Sequence, residues 1–150
     1  MKIIVQRVTT ALVKIQNQVV GKIDHGLLVF LGIHQHDRET EIEYLVKKLV
    51  HLRIFEDENH KMNLSVKDIQ GSILVVSQFT LYADCRRGNR PDFVQAASSE
   101  NAKAMYHLFL EKLQQENIPI ATGVFAADMQ VSLVNDGPVT MILEKNQNHQ

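Results

Sequence analysis

Near the start of the chain, residues 3–8, 11–15 and 19–23 are rich in β-branched residues, a composition typical of β-strands. The polar residues 16–18 (QNQ) separate the last two of these segments and predict a hairpin turn. The longest apolar stretch, residues 26–33 (GLLVFLGI), follows a second turn and predicts a buried strand. The chain therefore opens with β structure.

Two later segments carry apolar residues at helical spacing. The first begins near Thr40 and Glu43, which stand at the spacing of a capping box, and its apolar positions are Ile42, Leu45, Val46, Leu49 and Val50. The second is predicted from about residue 99 to residue 117, with Pro119 just beyond its end. Its apolar positions are Ala102, Met105, Tyr106, Phe109, Leu110 and Leu113. We expect both helices to pack with these faces against a sheet.

Further strands are predicted over residues 72–79 and within residues 120–143, while residues 81–91 lack periodicity and predict a loop. The polar tail from about residue 144 is expected to fray. Neither a repeat nor a linker interrupts the chain, so we expect one domain over residues 1–150. The order of the elements predicts an α/β fold with layered mixed and antiparallel sheets, a barrel-like β core and two main helices on a sheet face.

Composition restricts the partners of this domain. The hydrophobic content of 45% supports an ordinary core, and 16 Lys plus Arg nearly balance 17 Asp plus Glu. Without an overall basic field, a nucleic acid must meet a local basic patch. Arg86, Arg87 and Arg90, on the loop that contains Gly88, are the candidates. These guanidiniums either bind phosphates or belong to a solvated loop.

The single cysteine, Cys85, cannot form an internal disulfide, and it fits a reducing cytoplasmic setting. Neighbouring arginines favour its thiolate, but without an identifiable histidine partner we interpret it as inert. His34 and His36 can share one face of a strand, but two ligands are too few for a metal site, so no metal is expected. Residues 1–8 do not form a signal peptide, and the longest apolar stretch is far shorter than the roughly 20 residues of a membrane span.

The segment NDGPVT, residues 135–140, combines two conflicting signals. Asp136-Gly137 between alternating apolar runs indicates a hairpin turn. Pro138 lacks the N–H that a sheet ladder needs and is excluded from central strands, so the backbone here has another use. A Gly-Pro bond accepts the cis form readily. A rigid turn and a cis turn that faces a ligand both remain open.

The segment SQFTLYAD, residues 77–84, places polar side chains at the end of a long buried strand. Ser77, Gln78 and Thr80 supply two hydroxyls and an amide for a polar substrate, and backbone N–H groups nearby can hold an oxyanion. Hydrogen bonding that merely ends the strand is the alternative. Thr80 lacks a base at local spacing, which argues against its hydroxyl as a nucleophile.

Further segments join these two in a fixed order along the chain: QRV (6–8), GLLVFLGI, RIFED (53–57), KMN (61–63), SQFTLYAD, RGNRPDF (87–93) and FAADMQVSLVNDGPVT (125–140). In these segments and their order the chain resembles the D-aminoacyl-tRNA deacylases, formerly described as D-tyrosyl-tRNA deacylases. The resemblance spans almost the whole length. His60 departs from it, since the family often has glycine before KMN, and the tail beyond Leu143 lies outside the matching region.

The resemblance implies a homodimeric hydrolase that frees tRNA from D-amino acids, and from glycine wrongly attached to tRNA, without a metal or organic cofactor. It implies that the pocket is lined by Ser77, Gln78, Phe79 and Thr80, with Thr80 as a possible helper rather than a nucleophile. It also implies that Gly137 and Pro138 form a Gly-cisPro motif that enters the partner subunit's pocket, braced by Arg7. The two segments would then share one site between two chains.

Such a backbone wall beside the Cα of the aminoacyl group rejects an L side chain by steric clash and admits glycine. On this resemblance we expect the vicinal 2′-hydroxyl of the tRNA to assist hydrolysis, while backbone amides near Phe79 and Thr80 stabilise the oxyanion. Contact with the acceptor end of tRNA is assigned to Arg86, Arg87, Arg90 and Lys48. Two other functions remain open, namely a Thr80-dependent hydrolase of another small ester and a non-catalytic RNA-binding module.

Overall fold

The computed structural model describes residues 1–146, in which the regular elements follow the chain in this order: β1 Lys2–Ile15, β2 Gln18–Ile23, β3 Gly26–Gly32, α1 Glu39–Val50, β4 Phe55–Glu56, β5 Met62–Leu64, β6 Ser72–Ser77, α2 Ser99–Gln114, β7 Ile120–Thr122 and β8 Gln130–Glu144. A 3₁₀ turn, Phe79–Tyr82, follows β6. The end of the tail that was expected to fray, residues 147–150, lies outside the described residues.

The long strand β1 is the centre of the main sheet. Its first half pairs with β3 and its second half with β2, while β8 pairs along nearly the whole of its opposite edge. The strand order is β2-β1-β3-β6-β7, with β8 joined to β1. β3, β6 and β7 are mutually parallel, and the other pairs in this sheet are antiparallel. The predicted mixed sheet is therefore confirmed.

The sheet curls until its two ends nearly meet. A Cβ atom built on Gly21 of β2 would lie only 2.3 Å from the carbonyl oxygen of Thr122 on β7, so the backbones of these strands touch. Only glycine permits this approach, because any side chain would collide with the neighbouring backbone. The predicted barrel-like β core is thus confirmed, nearly closed where Gly21 meets β7.

Two apolar clusters explain why β3 and β6 read as continuous apolar runs. Leu27 and Val29 of β3 belong to the cluster between the sheet and the helices, whereas the intervening Leu28 belongs to the cluster inside the barrel. In β6, Ile73 and Leu74 divide in the same way. Successive side chains of a strand point to opposite faces, so a strand covered on both faces needs apolar residues at every position.

The helices connect the parallel strands and pack on one face of the sheet. α1 buries Ile42, Leu45, Val46, Leu49 and Val50, as predicted. In α2, Ala102, Tyr106, Phe109 and Leu113 are buried, and Met105 and Leu110 pack partly exposed against the same cluster. Neither of the α-helices in residues 1–146 could span a lipid bilayer.

The structure corrects several local predictions. α1 begins at Glu39, and its N-cap residue is Arg38. The backbone N–H of Arg38 donates to the Glu41 carboxylate at 2.8 Å. The capping box predicted from Thr40 and Glu43 is therefore wrong. The helix starts too early for Thr40 to serve as its cap. Phe79 was predicted in a strand but lies in the 3₁₀ turn. The short antiparallel strands β4 and β5 had no sequence prediction.

Candidate active site

A cavity of about 540 Å³, here called the strand-end cavity, lies where the parallel strands β3, β6 and β7 end. The ends of β3 and β6, with the residues that directly follow them, contribute Leu31, Ile33, Val76, Ser77, Gln78 and Phe79. The segment that leads into α2 and its first turn contribute Ala97, Ser99 and Ala102. The loop after β7 and the start of β8 complete the lining with Phe125, Ala126, Ala127, Asp128, Met129 and Val131. Sheets of this kind bind ligands outside the carboxyl ends of their parallel strands, which makes this cavity the candidate active site.

A tight turn at the end of β6 carries the polar residues of the cavity. The N–H of Gln78 donates to the carbonyl oxygen of Leu31 at 2.8 Å, and the 3₁₀ turn begins with the next residue. Ser77, Gln78 and Phe79 border the cavity. The backbone N–H groups of Phe79 and Thr80 stand in the first turn, where no hydrogen bond within the turn occupies them.

Thr80 occupies a different position from its three neighbours. Its side chain is exposed, and within residues 1–146 Thr80 does not line the cavity. The Thr80 hydroxyl accepts a hydrogen bond from Nε2 of Gln78. An amide donor cannot remove the hydroxyl proton, so this contact orients Thr80 without activating it.

Phe79 borders the cavity with an unusually exposed aromatic ring. The residue is 55% exposed, and Phe93 packs edge-on against it with ring centroids 5.0 Å apart. Phe93 belongs to the segment that follows the arginine loop, so this contact ties the loop to the cavity. Edge-to-face packing fixes the orientation of a ring that solvent would otherwise leave free.

The loop after β7 forms a wall of the cavity that residue patterns alone did not indicate. It supplies Phe125 and Met129 as apolar groups and Asp128 as a carboxylate. Ala126 adopts a φ of 62°, a conformation that is uncommon outside glycine and that often marks functional sites. One available signal was that this irregular stretch directly follows a strand, as SQFTLYAD does.

The NDGPVT segment is a bulge in a continuous strand rather than a hairpin turn. β8 pairs with β1 on both sides of it, with Asn135 opposite Val8 and Thr140 opposite Gln6. The Gly137-Pro138 peptide bond is cis, and both residues are exposed. Neither residue lines the strand-end cavity of its own chain in the described structure. A single chain therefore does not bring the two predicted segments together.

Arg7 lies opposite the bulge and connects it to the body of the domain. Its side chain is buried, with Nε donating to the carbonyl oxygen of Asp136 at 3.2 Å and Nη1 to that of Ile54 at 2.7 Å. Nε also lies 3.3 Å from the Asp136 carboxylate. A Cβ atom on Gly137, whose φ is 117°, would lie 2.7 Å from Nη2 of Arg7.

The arginine loop is closed at its base by backbone hydrogen bonds between Asp84 and Asp92, at 2.9 and 3.0 Å. Hydrogen bonds from the Arg86 side chain and backbone N–H to the carboxylate of Asp84 lower the pKa of that carboxyl to about 2. Arg86 is thus committed to its own loop. Arg87 and Arg90 extend from the loop and are exposed.

Lys48 does not join this loop. α1 starts near the carboxyl end of β3 and runs back to connect it with the parallel strand β6. Lys48, close to the end of α1, is therefore placed toward the amino ends of these strands, away from the arginine loop. The side chain is exposed. The contact with tRNA predicted for Lys48 remains a prediction, and it requires a surface separate from Arg87 and Arg90.

The histidine pair lies outside the strand-end cavity. Nδ1 of His34 accepts from the N–H of His36 at 3.2 Å, and the His34 ring packs against Tyr82 at 5.3 Å. Burial is the main cause of the lowered pKa of His34. Within residues 1–146, no group of His, Cys, Asp and Glu side chains has the arrangement of a metal site.

Comparison with known proteins assigns this architecture to a family. The model of the D-Tyr-tRNA(Tyr) deacylase family matches residues 4–144. Proteins named D-aminoacyl-tRNA deacylase are 52% identical in Desulfotalea psychrophila, 55% in Finegoldia magna and 54% in Thermosipho melanesiensis. Each alignment covers 96% of this chain and 97% of the relative.

Solved structures agree with the fold. The structure titled c-Myc DNA Unwinding Element Binding Protein has a TM-score of 0.93 at 46% identity, covering 97% of this chain and 99% of that one. A probable eukaryotic D-amino acid tRNA deacylase has a TM-score of 0.79 at 16% identity, covering 95% of this chain and 97% of that one. The second likeness concerns the fold alone.

Proposed function

Because the chain belongs to the D-Tyr-tRNA(Tyr) deacylase family, we propose that it hydrolyses the ester bond between tRNA and a D-amino acid, releasing both. The observation that carries the proposal within this family is the strand-end cavity, which Ser77, Gln78 and Phe79 border. Residues 1–150 act as a single deacylase domain. The same reaction removes glycine wrongly attached to tRNA.

The reaction needs a nucleophile and a site for the oxyanion. Water attacks the ester carbonyl carbon, the bond from that carbon to the ribose 3′-oxygen breaks, and the proton of the water passes to the departing oxygen. Backbone N–H groups of Phe79 and Thr80 stabilise the negative charge that develops on the carbonyl oxygen. The substrate's vicinal 2′-hydroxyl assists the attack, so the reaction calls for neither a protein nucleophile nor a cofactor.

Thr80 plays a supporting part in this scheme. Its hydroxyl accepts from Nε2 of Gln78, which keeps both side chains in place beside the turn. A hydroxyl with an amide donor as its partner is poorly suited to act as a nucleophile, because no base accepts its proton. The catalytic segment is formed by Ser77, Gln78, Phe79 and Thr80, and its contribution to the reaction is the stabilisation of the oxyanion by backbone N–H groups.

Chiral selection comes from Gly137 and Pro138 of a second subunit. In one chain these residues are exposed and border no part of the strand-end cavity, which supports a role in another molecule's site. A rigid backbone at the Cα of the aminoacyl group excludes an L side chain of any type, and admits both a D side chain and glycine. Arg7 braces the bulge that carries this motif.

A homodimer follows from this division of the site. The edge of β8 that faces away from β1 has no paired strand among the described residues, and the bulge lies within this edge strand. Val134 and Ile142, on either side of the bulge, are 53% and 65% exposed. Apolar side chains on an open strand edge favour association with a second chain.

The acceptor end of tRNA meets local basic groups, since the net charge is −1. Arg87 and Arg90 are exposed on a loop connected to the cavity through Phe93 and Phe79. Arg86, paired with Asp84, and the distant Lys48 add charge at other points. The single cysteine and the tRNA substrate are consistent with a cytoplasmic setting.

The decisive experiment compares hydrolysis of D-Tyr-tRNA and L-Tyr-tRNA by the purified protein. We expect fast release of D-tyrosine and negligible release of L-tyrosine, from a particle with the mass of a dimer in light scattering. Equal rates on the two substrates, or no rate on the D form, would refute the proposal. Tight, salt-dependent RNA binding without turnover would favour the RNA-binding module instead.

A further inference from the structure

We propose that Asn135 is a positioning residue that sets the selectivity for D over L substrates, because its side chain fixes both ends of the bulge that carries Gly137 and Pro138. The inference rests on the proposed function. It concerns the placement of the selectivity motif rather than the chemistry in the strand-end cavity.

The ladder between β1 and β8 cannot hold this bulge. Asn135 pairs with Val8 and Thr140 pairs with Gln6, so residues 136–139 have only Arg7 opposite them. The extra residues leave the plane of the strand and lose their regular hydrogen bonds. Another group must therefore define where the chain leaves β8 and where it returns.

The Asn135 side chain meets this requirement. Its Nδ2 donates to the carbonyl oxygen of Arg7 at 3.0 Å and to that of Val139 at 2.9 Å. Its Oδ1 accepts from the hydroxyl of Thr140 at 3.2 Å. One amide thus binds the opposite strand and the returning end of the bulge, and uses both of its N–H donors and its acceptor.

The end of the bulge where the chain rejoins the ladder, at Val139 and Thr140, is itself held in place, so the Asn135 amide bonds to fixed groups. Val139 is 8% exposed and belongs to the cluster between sheet and helices. Nε2 of Gln6 donates to the Thr140 hydroxyl at 3.2 Å and extends the network to β1. Arg7 holds the first residue of the bulge, Asp136. Asn135 closes the bulge, so the position of the exposed Gly137-Pro138 unit depends on it.

Loss of this closure should change selectivity before it changes catalysis. The bulge borders no part of the strand-end cavity of its own chain, so a shift of the bulge leaves Ser77 and the turn after it in place. In the dimer the displaced backbone would no longer exclude an L side chain. A misplacement of about 1 Å is enough to alter such discrimination strongly.

The test uses Asn135→Asp, which keeps the shape of the side chain and replaces both donors by a carboxylate oxygen facing two carbonyl oxygens. kcat/KM is measured on D-Tyr-tRNA and L-Tyr-tRNA for the full-length dimer. The matched control is Asn101→Asp, the same change at an exposed position of α2. Thr140→Val removes the hydroxyl that donates to Oδ1 and accepts from Gln6, but it leaves both Nδ2 hydrogen bonds of Asn135 and should have the smaller effect.

We expect Asn135→Asp to reduce the D to L ratio of kcat/KM by about tenfold or more through faster hydrolysis of the L substrate. The control should keep the wild-type ratio. A folded, dimeric Asn135→Asp protein with an unchanged D to L ratio, whether or not both rates fall, overturns the inference while the proposed function stands. Absence of D preference in the wild type overturns both. If Asn135→Asp fails to fold, Asn135→Ser, which keeps one donor, decides between the same outcomes.

Discussion

The buried side chain of Arg7 donates from Nε to the backbone carbonyl oxygen of Asp136, the residue directly before Gly137, at 3.2 Å. The same guanidinium donates from Nη1 to Ile54 at 2.7 Å, so it links the bulge of β8 to the segment before β4. A planar group with several donors in fixed directions is suited to this double contact. The relationship makes the exposed bulge dependent on a residue of the core.

Arg7→Ala should lower the free energy of unfolding by about 1–3 kcal/mol, because the buried carbonyl oxygen of Ile54 and the partly buried one of Asp136 lose their donor. Arg7→Lys should recover part of the loss, since an ammonium reaches one acceptor but lacks the fork. Urea unfolding provides the measurement. The exposed Arg87→Ala serves as control and should change stability by less than about 0.5 kcal/mol. An Arg7→Ala protein as stable as the control would contradict a bracing role.

Gly137→Ala should reduce both stability and selectivity. The backbone has a φ of 117°, and the new Cβ would lie 2.7 Å from Nη2 of Arg7. Strained backbone of this kind costs about 1–3 kcal/mol, and displacement of Arg7 adds to it. Gly88→Ala is the matched control, since its φ is 140° but a Cβ there meets nothing within 4 Å. We expect thermal melts to show a larger loss of stability for Gly137→Ala than for Gly88→Ala. Equal losses would show that the contact with Arg7 does not contribute to the effect.

Thr80→Val should retain catalysis to within about tenfold, because the proposed oxyanion donors are backbone N–H groups and the assisting hydroxyl belongs to the substrate. D-Tyr-tRNA that ends in 2′-deoxyadenosine should react about 100-fold more slowly with the wild type. Thr80→Ser, which keeps the hydroxyl, is the control. A loss of about ten-thousandfold in Thr80→Val, as when a catalytic nucleophile is removed, would instead support the Thr80-dependent hydrolase.

Asp84 should titrate abnormally because of Arg86. Its pKa is lowered from the ordinary 3.8 to about 2, so the stabilising pair is fully present above pH 3.8 and is lost as the pH falls through about 2. Following the carboxyl carbon by NMR should show the pKa of Asp84 rising toward 3.8 in Arg86→Gln. Arg87→Gln should leave the titration nearly unchanged. If the two variants titrate alike, the pairing with Arg86 is not the cause.

Arg87 and Arg90 should contribute to tRNA affinity through phosphates. Replacing each by glutamine should weaken binding and reduce the slope of log K against log salt by about 1 per lost contact. Arg86→Gln should have less effect, since Asp84 already engages that guanidinium. Filter binding of deacylated tRNA at several salt concentrations measures these slopes, and Lys48→Gln tests the separate surface on α1. Unchanged slopes would assign tRNA contact to other residues.

Local sequence was most informative for elements whose burial on one or both faces requires apolar residues at regular spacing. The apolar positions of α1 and α2 and the two-faced burial of β3 could be predicted, because helices and buried strands impose fixed spacing on apolar residues. The short strands β4 and β5 show no such spacing. The start of α1 was misjudged because an arginine at the cap position gives no capping signal.

The bulge shows what pairing across a sheet adds to local preference. Asp136-Gly137 is a hairpin signal by itself, yet β8 continues past it because β1 offers partners on both sides, at Val8 and at Gln6. Long-range pairing thus overrode the turn preference. The conflict between Asp-Gly and Pro138 was visible in the sequence, but its resolution required the partner strand.

Residue patterns along the chain were enough to predict the α/β class, the helix faces and the family resemblance, and they singled out the two segments that we propose carry the chemistry. It took the folded chain to reveal that the end of β6 borders a cavity together with the loop after β7. The same holds for Gly137 and Pro138, which emerge elsewhere on a bulge held by Arg7 and Asn135. The reason is physical. Local spacing records which side chains are buried, whereas the meeting of strand ends and the pairing of β1 with β8 depend on residues far apart in the chain.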